Sequence, residues 1–171
     1  MLARPSPVDS EVAAATFEQH LNDLWDSELP RSHDWSRIRL GPLHTVVVMW
    51  AVRPDGEKDH YFVRLGGEYY NQWPPSVRFV EPSQFQPVSE ASRWWPLIEN
   101  RPDWFGLHLN HQLNGTPGQL VCFTATAEYY MTDHNPSKAA VWDPKHHTLS
   151  ATLTRLQEML LPPYYQRPSK S

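Results

Sequence analysis

Apolar residues along the first thirty positions recur at helical spacing. Val12, Ala13, Phe17, Leu21, Leu24 and Trp25 share one stripe of a packing helix that Asp9 or Ser10 caps and that starts near Glu11. Pro30 is expected to stop it. The period then changes from helix to strand. Residues 37–40 form a short strand before Gly41-Pro42, and residues 44–52 carry Val46, Val47, Val48, Met49, Trp50 and Val52, a run suited to a buried central strand. Arg53-Pro54-Asp55-Gly56 signals a turn. Residues 59–65 set His60, Phe62 and Arg64 on one side and Tyr61, Val63 and Leu65 on the other, as the return strand of a hairpin does. Gly66-Gly67 ends that strand, and residues 77–80 make a fourth after Pro74-Pro75. A helix followed by a four-stranded antiparallel meander is an α+β pattern.

Residues 81–110 break the rhythm. They hold Pro82, Pro87, Pro96 and Pro102 among Phe85, Trp94, Trp95, Trp104 and Phe105. Loops of that length usually have a task. Either the aromatics fold over the sheet as a secondary core, or they form a docking surface rich in Trp. Residues 119–126 read as a short strand or extended segment bearing Cys122, and residues 127–138 as a polar and aromatic loop. Thr148 or Ser150 opens the last helix. Leu149, Leu153, Leu156 and Leu160 step by four, three and four along one face, Arg155 and Glu158 point outward, and Pro162-Pro163 ends it. Residues 1–8 and 166–171 are expected to be tails around one domain at 9–165.

Composition narrows the function classes. The 171 residues carry a formal net charge of -4 and no basic stripe, which disfavours a nucleic-acid partner. One Cys makes no intramolecular disulfide, which suits a reducing, cytoplasmic setting. Residues 1–7 lack a long apolar core of a secretory leader, and no stretch approaches a membrane span, so no membrane partner is expected. Seventeen Pro against seven Gly implies many fixed turns.

Four segments carry a resemblance. Tyr70 with Pro74-Pro75, Val77 and Phe79 resembles a Tyr-Pro-x-x-Pro-Pro-x-Val-x-Phe corner, with Asn71 in place of the first Pro. Gly118 followed by Gln119-Leu120-Val121-Cys122 resembles a Gly-x-Ile-Cys element lengthened by one residue. Trp142-Asp143-Pro144 resembles the Trp-x-Pro that follows the cysteine, and residues 148–161 resemble a crossing helix. In this order, over residues 10–165, they resemble the ubiquitin-conjugating (E2-like) enzymes, in a divergent prokaryotic form. The resemblance implies a UBC-like fold: N-terminal helix, four-stranded meander, a long loop bearing the cysteine, and a C-terminal crossing helix. Insertions fall at about 81–110 and 124–141. Phe79 to His111 spans 32 positions and Cys122 to Trp142 spans 20, both longer than in typical members, and the strict His-Pro-Asn tripeptide is absent.

The resemblance also implies a chemistry. Cys122 would accept a ubiquitin-like protein from an E1-like activating enzyme as a thioester and pass it to an amine of a protein target. The alternative for a cysteine after Leu-Val is a small buried hydrophobe. Asn114, with Asn135 as second candidate, would stabilise the oxyanion; each also reads as a turn residue. Asp133 and His134 would orient or deprotonate the incoming amine, or else lie in an exposed loop. Gln72, Trp73 and Pro144 occupy positions where family members meet partner enzymes. The first helix would also dock the activating enzyme. Neighbouring JAB-type peptidases and a role in bacterial antiphage defence belong to the same resemblance. No cofactor or metal is expected.

Three rivals remain. One is a non-catalytic E2-variant that binds without reacting. Another is a metal enzyme, since His108 and His111 lie three apart with His134, His146 and His147 later, yet that segment is a poor helix and lacks an HExxH motif. The third is a papain-like protease, whose cysteine opens a helix, whereas Cys122 follows an apolar extended run.

Overall fold

Asp9 sets the start of the first element in a computed structural model that describes residues 4–113 and 115–170. Its carboxylate accepts the N–H groups of Glu11 and Val12, each at 3.1 Å, satisfying donors that a helix start leaves open. Helix α1 runs Ser10–Asp26 and buries Ala13, Phe17, Leu21 and Leu24. Val12, expected on that stripe, is 57% exposed, because the adjacent Ala13 takes the inward position. The helix ends four residues ahead of Pro30. That proline instead sits in the first turn of the short α2 (Leu29–Ser32), where its missing N–H is not needed.

Strands β1 (Ser36–Arg39), β2 (His44–Val52), β3 (Lys58–Gly66) and β4 (Ser76–Val80) form a four-stranded antiparallel sheet in chain order. The register sets Val47 opposite Val63 and Val63 opposite Phe79. Strand pleating then sends Met49, Ala51, Tyr61, Leu65 and Val77 to the same face. All are fully buried and share one cluster with Phe17, Leu21 and Leu24 of α1. Helix α3 (Ala127–Met131) and helix α4 (Leu149–Met159) complete the α+β arrangement. Among the described residues no helix is long and apolar enough to cross a membrane.

The leucines of α4 behave as their spacing predicts: Leu149, Leu153, Leu156 and Leu160 are fully buried, and Arg155 and Glu158 are exposed. Gln157, also buried, accepts the Trp35 indole N–H at 2.7 Å and donates to the Trp50 carbonyl at 2.8 Å. Val52 N–H donates to the Leu160 carbonyl at 2.9 Å. These bonds fix the helix across the end of β2.

Three segments depart from expectation. Residues 81–110 contain β5 (Pro96–Ile98) and the start of β6 (Gly106–Leu113). Trp95 and Phe105 of that segment are buried, and the Trp95 ring lies 5.6 Å from that of Phe79, so its aromatics join the core. Residues 165–168, placed largely in a tail from sequence, form β8 (Tyr165–Pro168), antiparallel to β5. The anchor is Tyr165, fully buried, with its hydroxyl 2.8 Å from that of Tyr61 and donating to Asp59 at 2.6 Å. Residues 127–138 have the pattern of a loop, yet α3 forms there. Its Glu128 is fully buried, accepts Val77 N–H at 3.2 Å and pairs with the Arg78 guanidinium, and Ala127 N–H donates to the Pro75 carbonyl at 3.0 Å. At the other end, Val8 N–H donates to the Glu68 carbonyl at 3.0 Å, which ties down the close of the expected 1–8 tail.

Candidate active site

Cys122 is the last residue of β7 (Thr116–Cys122), which pairs antiparallel with β6. The expected long cysteine-bearing loop is therefore a strand end. Alternation along β7 explains the orientation. Gln119 and Val121 face the core, and Leu120 and Cys122 line a cavity of about 680 Å³. Thr126 holds the chain as it leaves the strand: its hydroxyl accepts Phe123 N–H at 3.2 Å and lies 2.9 Å from the Val121 carbonyl.

The opposite wall comes from α3 and the residues after it. Cys122 Sγ lies 3.1 Å from His134 Nε2 and 3.9 Å from Thr132 Oγ1. The His134 ring stacks face to face on Tyr129, with centroids 4.2 Å apart and planes 5° from parallel. Glu128 anchors α3 to β4, and Tyr129 is the next residue on that helix. The stack thereby passes the position of the core to the imidazole.

Burial pushes the Cys122 thiol up to about 11; the Thr132 hydroxyl opposes this and the Glu128 carboxylate adds to it. Burial also lowers the His134 pKa, with Asp133 opposing and His111 adding. Both groups are thus neutral near pH 7. In the Nδ1–H tautomer of His134, the thiol donates to Nε2. The contact is thus a hydrogen bond between two neutral groups, not a thiolate–imidazolium ion pair.

Of the residues singled out from sequence, Cys122, His134 and Asp133 meet at this cavity. Asn135 is exposed, between the lining residues His134 and Pro136. Asn114 lies outside the described residues. The proline corner and Trp142-Asp143-Pro144 do come together: Trp142 indole N–H donates to the Asn71 carbonyl at 2.9 Å, and Asn71 Nδ2 donates to the Pro144 carbonyl at 3.1 Å. Gly106, Tyr129 and Thr132 were not picked out for the site. The aromatic character of residues 129–130 is a signal for Tyr129 alone.

The spacing of His108 and His111 would suit metal ligands on a helix, but both lie on β6. A β-bulge changes their meaning. His108 pairs with Leu120 and His111 with Gly118, so Leu109 and Asn110 together face Gln119. The extra residue returns His111 to the face that His108 occupies, and both line the cavity. Among the described residues, no group of three His, Cys, Asp or Glu side chains converges as metal ligands do. Compared with protein-family models the chain matches none, and no curated protein matches it.

Proposed function

We propose that the protein is an E2-like acyl carrier of UBC-like fold. Cys122 accepts the C-terminal acyl group of a ubiquitin-like protein from an E1-like enzyme and passes it to an amine of a protein target. The observation that carries this reading is the 3.1 Å contact of Cys122 Sγ with His134 Nε2 at an open cavity. The order of helix, four-stranded sheet, cysteine segment and final helix supports it. So do the bonds joining the Asn71 and Trp142 segments.

In the loading step, sulfur bonds to the acyl carbon as its proton passes to His134 Nε2. The bond to the donor sulfur then breaks, and that thiolate takes the proton from His134. Transfer repeats the addition with a neutral amine as nucleophile: its proton passes to His134 Nε2 and then to Cys122, which leaves as the thiol. Asp133 stands at the same cavity, where a carboxylate orients an ammonium. A cytoplasmic bacterial antiphage conjugation system, with a JAB-type peptidase alongside, is the setting that the sequence resemblance suggests.

A second reading has its own observation. Cys122 is only 5% exposed and its thiol is pushed up to about 11, which suits a non-catalytic E2-variant binding module. Thioester charging separates the two. The protein is mixed with ATP and with the E1-like and ubiquitin-like proteins encoded beside its gene, and intact mass is read with and without reductant. The carrier reading expects an adduct that reductant removes and that Cys122→Ala never forms. Partner binding without an adduct would establish the binding module instead.

A further inference from the structure

Cys122 shares its cavity with a near and a far imidazole. His134 is the near one. The far one belongs to β6, where Gly106 pairs with Cys122 and His108 with Leu120, so that all four positions share the cavity face. Gly106 carries no side chain to fill its place. A Cβ built there would lie 3.3 Å from Cys122 Cβ and 3.7 Å from His108 Nε2. The gap at Gly106 is therefore bordered by both the cysteine side chain and a ring nitrogen. An acyl carbonyl entering the cavity to meet the sulfur has this gap beside it.

We propose that His108 is the oxyanion donor for acyl transfer at Cys122. The inference rests on the reading of Cys122 as an acyl acceptor. As sulfur adds to the carbonyl carbon, the π electron pair moves onto oxygen, and the thiol proton goes to His134 Nε2. His108 Nε2–H donates a hydrogen bond to that oxygen and keeps its proton throughout. When the intermediate collapses, the C=O bond re-forms and the leaving group departs with the proton held by His134. Two imidazoles of one cavity thus divide the work: one accepts a proton and the other donates a hydrogen bond. Burial, the Arg101 guanidinium and His111 all lower the His108 pKa, which keeps it a neutral donor rather than a second cation. Donors fixed beside developing charge are among the largest contributors to acyl-transfer rates.

The test compares two reactions of the same thiol in the full chain. Acetylation by p-nitrophenyl acetate passes through an oxyanion and releases nitrophenolate. Alkylation by iodoacetamide displaces iodide at a saturated carbon and forms no oxyanion. Both are followed by intact mass, with Cys122→Ala as blank. His108→Ala should slow acetylation about 10- to 100-fold while leaving alkylation within about twofold. His108→Gln, which keeps an N–H, should recover part of the acetylation rate, and His108→Glu should recover none. If His108→Ala does not fold, the Gln and Glu variants carry the comparison between themselves. Parallel loss of both reactions would mean that His108 only shapes the site. An unchanged acetylation rate, or a wild-type thiol inert to the ester, would equally overturn the proposal. A changed ratio in a protein that its donor never charges would remove the carrier reading and leave the donor role standing.

Discussion

Gln119 and Phe79 exchange two hydrogen bonds through a single side chain. Gln119 Nε2 donates to the Phe79 carbonyl at 2.6 Å, and Phe79 N–H donates to Gln119 Oε1 at 2.9 Å. The same Nε2 lies 2.7 Å from the Val88 carbonyl. The amide thus supplies to β4 the donor and acceptor that a neighbouring strand would supply. It also docks β7, and with it Cys122, onto the sheet. Gln119→Leu keeps the volume but strands one N–H and weakens two carbonyls in a buried place. Urea denaturation should show a loss of about 3 kcal/mol. A variant as stable as the parent would show that the amide is not what joins the two sheets.

Short-range pattern was legible in the residues, and long-range pairing was not. The four leucines of α4, the Asp9 cap and the alternation along β3 are each settled within about ten residues, where periodicity and capping act. Val12 shows the limit, since only the packed neighbour decides which of two adjacent apolar residues turns inward. Strand β8 was hidden because its pairing partner lies far back in the chain and its residues are polar. Cys122, Asp133 and His134 could be named from segment order, and the structure brings them to one cavity. His108 could not be seen as their neighbour. That depends on a bulge at Leu109-Asn110, which no local motif announces.

The Cys122 thiol titrates high, and the sign of its pH response follows. A pKa raised to about 11 leaves roughly one molecule in 10⁴ as thiolate at pH 7. Direct alkylation by iodoacetamide should therefore quicken about tenfold per pH unit from pH 7 to 10 and level off only near 11. A plateau by pH 8 would reveal a stabilised thiolate and refute the neutral pair. His134→Ala should slow acyl loading about 100-fold at pH 7, since the proton then loses the base nearest to the sulfur.

Gly106 leaves open the gap bordered by Cys122 and His108. Gly106→Ala would place a carbon 3.3 Å from Cys122 Cβ, a tight contact. Loading should fall about tenfold as the acyl group is displaced, with little change in melting temperature. Gly106→Val should abolish loading. Unaltered loading in the alanine variant would show that the acyl group approaches by another path.

Acid stability should depend on Asp59. Burial pushes its pKa upward, but hydrogen bonds from Arg53 and Tyr165 outweigh this and hold it below the ordinary carboxylate value. A lowered folded pKa stabilises the fold in full above the unfolded value of about 3.9, and that contribution is lost as pH falls through the folded one. Asp59→Asn should flatten the acid limb of the stability profile. Tyr165→Phe removes the hydroxyl shared with Tyr61 and Asp59, and should lower stability at neutral pH by about 1 to 3 kcal/mol. An identical acid limb in Asp59→Asn would show that other carboxylates govern it.

The partnership of β5 with β8 also bears on how the chain assembles. On the ribosome, Pro96–Ile98 emerges about 70 residues before Tyr165–Pro168. During that interval β5 has an unpaired edge, and Tyr61 lacks its hydroxyl partner. Closing so long a loop comes late, because its entropy is lost before any contact offsets it. The four-stranded sheet, built from neighbours in sequence, has no such delay. The nascent protein should therefore leave the β5 edge and the Tyr61 hydroxyl unpartnered until β8 arrives, and that strand acts as the latch on an otherwise early-forming core.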